Sequence, residues 1–586
     1  MAVPVIVKHV ITILLLSAAV MLTGLGAPRL WDRDEPRNAG CAREMLERLD
    51  WVVPTFNGEL RAHKPVLLYW CIMAAYSLGG VNEFTARLPS ALCAIGSALA
   101  TYGIGRRLFN PTIGLWSSIV LSTSLMFGVA GRAATPDSIL IFCVTLTMLV
   151  YVLFAFPSKD GSYFPPHRWK AALVYGAMGL AVLAKGPVGL VLPTAIIGMF
   201  LLIQRLPASA PPESGLDKLL AILRPFQPLH FLRTCLAMRP LLAIGVVLLV
   251  AAPWYIAVGV KTDGAFLREF FLTHNLDRAT SSMEGHRGGP WYYPLAILVG
   301  FFPWSIFAIP LVLETARGLR TDDPHKAGYV FAVCWIGVWV GVFSLAGTKL
   351  PSYVTPCYPA IALLTGCFIY HLQQGSLLIH RFWLPASFTT LGATGIGLSI
   401  GIPLATREFL PGEAWLGLLG IVPIMAAVLA AIAWHGQMKS WPAPLVAAAG
   451  GLVVVGILGL GAYRADQHRQ DQQLVMDWAK ASTSESPLAT YGILEPSWVF
   501  YSHHVIPQIS GEPSQGARLF KEHPQASLLT REQFVSSIRR ELGGDLEIVS
   551  SAPRFLKREQ LVIVRRKTAT STSDSVRAAQ GKRSLR

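Results

Sequence analysis

Long apolar runs alternate with short polar connections along most of the chain. The first run covers residues 10–27, and each run is close to the roughly 20 residues that an α-helix needs to cross a bilayer. The others lie at 87–105, 112–130, 138–156, 171–185, 187–203, 240–260, 291–313, 328–346, 353–371, 383–403, 416–434 and 442–462. This pattern predicts about 13 transmembrane helices. Residues 171–203 could instead form one long span, because Lys185, Gly186 and Pro187 divide them only weakly.

The composition agrees with a chain that keeps most of its length in lipid. Hydrophobic residues make up 53% of the sequence and charged residues 14%, whereas soluble domains carry about 25% charged residues. The formal net charge is +16, and much of it lies in short loops between the apolar runs. This distribution follows the positive-inside rule and does not indicate a nucleic-acid partner.

The basic residues of alternate loops mark one side of the membrane. They are Arg106, Arg107, Lys159, Arg168, Lys170, Arg205, Lys218, Arg224, Arg233, Arg239, Arg317, Arg320, Lys326 and Lys439. By the positive-inside rule this side is the cytoplasm. The predicted membrane domain covers residues 1–462, and its outer side carries two longer loops, 28–86 and 261–290.

From about residue 463 the sequence becomes polar and its apolar runs become short. Strand-like runs lie at 488–491, 498–501, 505–509, 528–529, 546–549 and 561–564. A helical pattern over 531–542 ends in two glycines. Residues 463–567 therefore predict a small soluble α/β domain, which an odd number of spans places outside the cytoplasm. The basic, Ser/Thr/Ala-rich residues 568–586 predict a disordered tail.

A charged segment follows the first apolar run, at the predicted membrane edge. Asp34 and Glu35 are adjacent carboxylates, and Arg37 follows Pro36, a residue suited to the first turn of a helix. Apolar residues at three- and four-residue steps predict a short amphipathic helix over 38–49. The helix dipole then stabilises the negative charges at its N-terminus. Helix capping is the ordinary explanation of such a pair, and a functional carboxylate is the alternative.

Further charged groups are predicted on the same outer face. Lys64 precedes an apolar, aromatic run, which suits either a lipid phosphate or an ordinary interfacial lysine. Asp137 stands at the start of a span, where a helix cap is equally expected. His274 and Arg278 are four residues apart, on one helix face, and residues 347–353 form a tight basic connection. Cationic groups neutralise phosphate and a carboxylate acts as a base or stabilises positive charge, so these groups indicate a site for anionic, lipid-linked substrates.

The order of these motifs resembles that of a known family. The matching features are Asp34-Glu35-x-Arg37, Arg43-Glu44-Met45-Leu46, Asp50-Trp51-Val52-Val53-Pro54, Lys64-Pro65 with Tyr69-Trp70, Asp137, Ala184-Lys185-Gly186-Pro187, His274-Asn275-Leu276-x-Arg278 and Lys349-Leu350-Pro351-x-Tyr353. Together they resemble the ArnT-like membrane glycosyltransferases of the GT-C class, which include lipid A aminoarabinose transferases and protein O-mannosyltransferase-like enzymes. The predicted spans and the outer C-terminal domain also match that architecture.

The resemblance implies a glycosyltransferase that moves a sugar, with inversion, from a polyprenyl-phosphate donor. Transfer is expected on the periplasmic face of a bacterial inner membrane, among membrane lipids, to a lipid A-like acceptor or alternatively to a protein Ser/Thr hydroxyl. The resemblance implies Asp34 and Asp137 as catalytic carboxylates. The implied substrate-binding residues are Glu35, Arg37, Lys64, Lys185, Arg278, Lys349 and Tyr353. No nucleotide cofactor is expected.

One departure from the family pattern concerns a metal. The aminoarabinose transferases have Glu-Lys-Pro where this chain has His63, Lys64 and Pro65, and in that family the glutamate pairs with the later histidine, here His274, at a metal. Because histidine is also a good zinc ligand, the resemblance implies either a zinc site at His63 and His274 or a metal-free hydrogen-bonded pair.

Two other classes of protein fit an apolar chain with charges at the membrane edge. A transporter or flippase of lipid-linked sugars would show internal repeats and charges within its spans. The sequence has no clear repeat, and its charges cluster at span ends, so an enzyme is favoured. A ligase of sugar polymers with a diphosphate-linked donor is a further alternative.

Overall fold

The chain folds into two compact units. The computed structural model describes residues 4–31, 33–158, 161–207, 223–277, 288–320, 323–481 and 487–567. The first, here the membrane unit, comprises Met1–Arg29, Cys41–Thr55 and Leu60–Tyr463. The second, here the α/β unit, comprises Leu30–Gly40, Phe56–Glu59 and the chain from Arg464 onward. Two pieces of the predicted outer loop 28–86 therefore belong to the α/β unit, whereas the predicted tail 568–586 lies outside the described residues.

Helices long and apolar enough to cross a membrane dominate the membrane unit. The described residues contain nine of them, or up to eleven if each of two bent pairs forms one span. The nine are Val5–Leu22, Glu83–Leu108, Pro136–Ala155, Pro240–Lys261, Lys326–Leu345, Pro351–Gln374, Trp383–Phe409, Ala414–His435 and Pro442–Asp466. The bent pairs are Pro111–Ser122 with Leu125–Arg132, at 68°, and Tyr292–Gly300 with Trp304–Arg320, at 119°. The chain is thus a multi-pass membrane protein.

The two predicted spans at 171–185 and 187–203 are separate helices, Arg168–Lys185 and Val188–Gln204. Gly186 ends the first of them with a φ of 82°, a left-handed conformation that glycine adopts without strain. The single long span at 171–203 is therefore wrong. Counting both of these helices with the up to eleven candidate spans of the described residues would give the predicted total of about 13.

The remaining helices connect these elements. They are Asp34–Glu47, Leu67–Gly79, Pro228–Ala237, Ala265–Arg268, the π-helical segment Glu269–Asp277 and a 3₁₀ turn, Arg224–Phe226. The predicted helix over 38–49 thus begins four residues earlier, and the acidic pair forms its first turn.

Two buried arginines fix the chain as it leaves the first membrane helix. Arg132 donates to the carbonyl of Val20 at 2.7 Å, where a helix C-terminus leaves its carbonyls without intrahelical partners. Arg87 donates to the carbonyls of Leu25 at 2.9 Å and Pro28 at 2.7 Å. These bonds define the path of the membrane unit just before the segment Leu30–Gly40.

The α/β unit contains a mixed five-stranded sheet. The strands of the protein are β1 (Thr55–Phe56), β2 (Glu59–Leu60), β3 (Leu488–Tyr491), β4 (Gln508–Ile509), β5 (Ser527–Arg531), β6 (Leu546–Pro553) and β7 (Gln560–Arg566). The sheet order is β4-β3-β5-β7-β6. Strand β3 pairs in parallel with β4 and β5, whereas β7 runs antiparallel to β5 and β6.

Helices cover both faces of this sheet. On one face Leu529 and Ile563 pack with Trp478 of helix Gln470–Ala481. On the other face Leu528 and Val564 pack with residues of helices Pro513–Glu522 and Glu532–Leu542. Strands buried on both faces read as continuous apolar runs rather than as alternating ones, which is how β3, β5 and β7 appear in the sequence.

Most of the predicted elements of this region are confirmed, and one is wrong. The predicted strand at 498–501 lies in a helix, Pro496–Ser502, which has Pro496 at its first position. A short aromatic and β-branched run has the same pattern in a strand and in a buried helix, and here the tertiary packing decides in favour of the helix. The predicted helix over 531–542 is confirmed, and Gly543 ends it with a φ of 63°.

Candidate active site

The acidic pair at the start of helix Asp34–Glu47 divides into one buried and one exposed carboxylate. Glu35 is buried and accepts a hydrogen bond from the backbone N–H of Trp31 at 2.7 Å. Asp34 is exposed, and Arg37 in the same turn is half-buried. The sequence placed both carboxylates at the helix N-terminus but did not distinguish them. The structure gives the capping contact to Glu35 and leaves Asp34 facing solvent.

In the membrane unit, three predicted site residues from distant parts of the chain come together. Asp137, in the first turn of helix Pro136–Ala155, forms an ion pair with Lys185, the last residue of helix Arg168–Lys185. The Lys185 ammonium also lies 5.3 Å from the centre of the Tyr353 ring. The capping interpretation of Asp137 is wrong, because Thr135 occupies the N-cap position and Asp137 lies inside the helix.

A second buried ammonium belongs to the predicted basic connection. Lys349 donates to the carbonyl of Ser344 at 2.5 Å, and its Nζ lies 5.6 Å from the ring of Tyr293. Tyr353 follows in the 3₁₀ segment Pro351–Cys357, and its carbonyl accepts from the Trp339 indole at 2.7 Å. A tyrosine ring therefore lies near each of the two ammonium groups, an arrangement that stabilises a cation shielded from water.

Lys64 lies between β2 and helix Leu67–Gly79 and is half-buried. The neighbouring Arg61 is buried, and its Nε donates to the Tyr69 hydroxyl at 3.3 Å. Arg278, the predicted substrate-binding residue in the His274 motif, lies outside the described residues.

The two predicted metal ligands lie together and are joined by a third residue. The rings of His63 and His274 have centroids 4.0 Å apart, and His274 Nε2 lies 3.2 Å from Glu269 Oε1. One ligand atom from each of the three residues falls within 4.8 Å of the others. Two imidazoles and one carboxylate form a common zinc ligand set, in which ligand atoms lie about 3.4 Å apart. The group thus fits a metal after an inward movement of its side chains.

No sequence pattern singled out Glu269 as a ligand. Residues five apart diverge by about 140° on an α-helix, so the pattern did not place Glu269 beside His274. The chain from Glu269 to Asp277 is π-helical, and this wider winding brings residues five apart onto one face.

Comparison with known proteins adds to this geometry. Residues 63–225 match a family model described as dolichyl-phosphate-mannose-protein mannosyltransferase. The undecaprenyl phosphate-alpha-4-amino-4-deoxy-L-arabinose arabinosyl transferase of Pectobacterium carotovorum is 28% identical over 441 residues, which cover 73% of this chain and 72% of that protein. A second relative, the undecaprenyl phosphate-alpha-4-amino-4-deoxy-L-arabinose arabinosyl transferase 1 of Pseudomonas fluorescens, is 30% identical over 343 residues. These cover 58% of this chain and 53% of that protein. The chain is thus similar to the ArnT-like membrane glycosyltransferases.

A solved structure agrees with this assignment at the level of the fold. The crystal structure of ArnT from Cupriavidus metallidurans, bound to undecaprenyl phosphate, matches with a TM-score of 0.75 and 19% sequence identity. The match covers 95% of this chain and 98% of that one. The predicted GT-C fold with a small C-terminal sheet is thereby confirmed. The curated relatives named as arabinosyl transferases support a glycosyltransferase rather than a transporter.

The predicted site residues of the transferase therefore fall into two sets. Asp34, Glu35 and Arg37 belong to the α/β unit. The other described ones belong to the membrane unit: His63, Lys64, Asp137, Lys185, His274, Lys349 and Tyr353.

Proposed function

We propose that this transferase moves a sugar from a polyprenyl-phosphate donor to a lipid A-like acceptor. The observation that carries the proposal is the group formed by Asp137, Lys185 and Tyr353, at the ends of helices of the membrane unit. The curated relatives of the chain include proteins named as undecaprenyl-phosphate aminoarabinose transferases. An ammonium group beside a tyrosine ring, at the end of an apolar helix, suits a phosphate attached to a lipid chain.

The donor phosphate is bound by cations. Lys185 and Lys349 are shielded from water, so each interacts more strongly with an anion than an exposed lysine would. We assign Lys64, Arg37 and Arg278 to the same task on the basis of the family motifs, with Tyr353 as a hydrogen-bond donor. Asp137 acts through Lys185, because their ion pair fixes the position of the ammonium.

The chemistry is a displacement at the anomeric carbon of the sugar. The acceptor oxygen forms the new bond, the bond to the phosphate oxygen breaks, and polyprenyl monophosphate leaves. Phosphate is a good leaving group, and positioned cations stabilise the charge that develops on it, so a strong general acid is not required.

Asp34 is the candidate carboxylate on the acceptor side. It is exposed at a helix N-terminus, where the dipole favours its negative charge. An ionised lipid A phosphate needs no strong base, and Asp34 then orients the acceptor or stabilises developing positive charge. With a hydroxyl acceptor, Asp34 takes up the proton.

The second candidate function is transfer to a protein hydroxyl. The specific observation in its favour is the family model, whose description names a protein mannosyltransferase and which matches residues 63–225. This stretch includes Lys64, Asp137 and Lys185, so the donor chemistry is common to both functions and only the acceptor differs.

We further propose that His63, Glu269 and His274 hold a zinc ion. When bound, zinc supplies a fixed positive charge and Lewis acidity. Elemental analysis of purified protein should find about one zinc per chain, and the Glu269→Gln variant should retain less zinc after dialysis. Full-length wild-type protein without zinc, purified in the presence of the ion, would contradict this proposal.

The positive-inside rule supports an inner-membrane location with a periplasmic site. On this orientation the loops 28–86 and 261–290 and the α/β unit are periplasmic. An alkaline phosphatase fused after Lys567 should be active, and an inactive fusion would invert the orientation.

The proposed activity is tested by incubating purified protein with undecaprenyl-phosphate carrying aminoarabinose or mannose, together with lipid A or a Ser/Thr peptide. Mass spectrometry should find modified lipid A. Modified peptide alone would select the second candidate function, and no product from any combination would contradict both.

The matched variants in this assay are Asp34→Asn and Glu35→Gln. The first removes the exposed charge and should lower turnover on the order of 100-fold or more. The second keeps an acceptor oxygen for the Trp31 N–H and should lower turnover much less. Near-normal turnover of Asp34→Asn at equal folded protein would exclude the residue from the mechanism.

A further inference from the structure

The segment that carries Asp34 is part of the α/β unit rather than of the membrane unit. Leu30–Gly40 and the chain from Arg464 onward form one compact body. The segment and its partners are separated by more than 400 residues of sequence, for example 471 between Leu30 and Tyr501. Contacts between them must therefore come from tertiary folding alone.

Both backbone polar groups of Leu30 are bound by side chains of the C-terminal region. The Leu30 N–H donates to the Tyr501 hydroxyl at 2.7 Å, and the Leu30 carbonyl accepts from Arg469 Nη1 at 2.9 Å. A bond from a guanidinium to a carbonyl is charge-assisted and stronger than a neutral one. The peptide groups four residues before Asp34 are thereby fixed in orientation.

The Arg469 guanidinium also lies close to two aromatic rings. Its guanidinium carbon lies 5.5 Å from the Trp31 ring and 5.9 Å from the Phe555 ring, and these two rings meet edge to face at 5.9 Å. The backbone N–H of Trp31 donates to the Glu35 carboxylate. Arg469 is therefore linked through Trp31 to the residue beside Asp34.

The far end of the segment is also packed within the α/β unit. A Cβ atom at Gly40 would lie 2.7 Å from the Phe56 ring and 3.8 Å from the Phe500 ring, so only glycine allows this approach. Phe56 is followed by Asn57, whose side chain exchanges two hydrogen bonds with the backbone of Ile506, at 2.9 and 2.8 Å. Asp34 thus lies on a short stretch that is anchored at both ends.

We infer that the C-terminal part of the α/β unit positions the Asp34 segment, with Arg469 and Tyr501 as positioning residues. This inference rests on the proposed role of Asp34. Displacement of a reacting group by about 1 Å can reduce a rate on the order of 100-fold. The C-terminal domain is then a required part of the catalytic apparatus, because it sets the position of the Asp34 segment.

The test uses the full-length protein in detergent and three substitutions. Arg469→Ala removes the guanidinium and Tyr501→Phe removes only the hydroxyl that accepts from Leu30. The control is Arg554→Ala, since Arg554 lies in the same unit, is similarly buried (15% exposed, against 11% for Arg469) and binds Glu495 and Glu559 at 2.7 and 3.0 Å.

Two quantities are measured at equal folded protein: the kcat and KM for the donor, and hydrogen exchange of peptides covering residues 30–40. Arg469→Ala should lower kcat on the order of 10- to 100-fold, change KM less than about threefold, and speed exchange in this segment. Tyr501→Phe should show the same changes to a smaller extent, and Arg469→Lys, which keeps a cation over Trp31, should recover part of kcat. Arg554→Ala should leave both quantities near wild type.

Normal kcat in Arg469→Ala, or a loss of kcat with unchanged exchange in residues 30–40, would overturn the inference. An equal loss in Arg554→Ala would also overturn it, because general destabilisation of the unit would then explain the effect. Normal turnover of Asp34→Asn would contradict the proposed role of Asp34 alone. In that case the hydrogen-exchange data would still decide whether Arg469 holds the segment.

Discussion

Two lysine–aspartate pairs lie in the described part of the membrane unit, and in each the lysine is the last residue of a helix. Lys185 ends helix Arg168–Lys185 and pairs with Asp137, whereas Lys261 ends helix Pro240–Lys261 and pairs with Asp50 at 3.1 Å. A lysine at a helix C-terminus is stabilised by the dipole in both cases. From local sequence the two positions are equivalent.

Their surroundings are different. The Lys185 and Asp137 side chains are 14% and 18% exposed, and the ammonium lies over the Tyr353 ring. The Lys261 side chain is 52% exposed. Asp50 also accepts from the backbone N–H groups of Val52 and Val53, at 2.9 and 3.3 Å, as in an Asx turn. The first pair is the one that we propose to bind a ligand with negative charge, and the second is a surface pair at a turn.

The largest expected difference between the pairs concerns the two lysines. Lys185→Ala removes a shielded cation proposed to bind the donor phosphate, so kcat/KM should fall on the order of 100-fold. Lys261→Ala, the matched control, should retain activity within about twofold, since exposed pairs contribute about 0.2–1 kcal/mol. Steady-state transfer assays at several donor concentrations measure both. Equal effects of the two substitutions would contradict a difference in function between the Lys185 and Lys261 pairs.

A smaller difference is expected for the two aspartates. Asp137→Asn keeps the shape of the side chain but no longer pairs with Lys185 by charge, so kcat/KM should fall on the order of 10-fold, about 1.4 kcal/mol. Asp50→Asn should leave kcat/KM unchanged. Combining Asp137→Asn with Lys185→Ala tests whether the residues act together: the double variant should be little worse than Lys185→Ala, and additive losses would show independent roles.

The smallest expected effect is the pH dependence of the surface pair. Partial burial opposes ionisation of Asp50, but the Val52 and Val53 N–H groups and the Lys261 ammonium outweigh it and lower the pKa of the carboxyl below its usual value. A lowered folded-state pKa stabilises the protein above the unfolded pKa of about 3.9, and this stabilisation is lost as pH falls through the folded value.

Wild type should therefore exceed Asp50→Asn in thermal stability at pH 7, by no more than about 1 kcal/mol. The gap should close as the pH falls below about 4. Differential scanning calorimetry of both proteins from pH 7 to pH 3 measures this difference in stability. A gap that stays constant or widens in acid would remove the electrostatic explanation of the pair.

Much of the fold could be predicted because its signals are local. Each membrane helix needs its own apolar run, and the strands at β3, β5 and β7 are short apolar runs between polar segments. The predicted position of Asp34 and Glu35 at a helix N-terminus is likewise a local property. The strand predicted at 498–501 failed because a short apolar run carries no period that separates a strand from a buried helix.

The sequence predicted most residues of the candidate site, but not how they are arranged. Motif order singled out Asp137, Lys185 and Tyr353, but no local pattern showed that they contact one another. Glu269 was missed because the prediction assumed α-helical winding where the chain is π-helical.

The sequence by itself therefore determined the membrane class, the presence of an α/β domain and the types of side chain available for phosphate and metal. Only the tertiary structure decided that Glu35 is buried and Asp34 exposed, that Lys185 rather than Lys261 is shielded beside a tyrosine, and that Leu30–Gly40 packs with a domain more than 400 residues away. Hydrophobic periodicity reports which face of an element is buried, whereas these outcomes depend on which elements pack against each other.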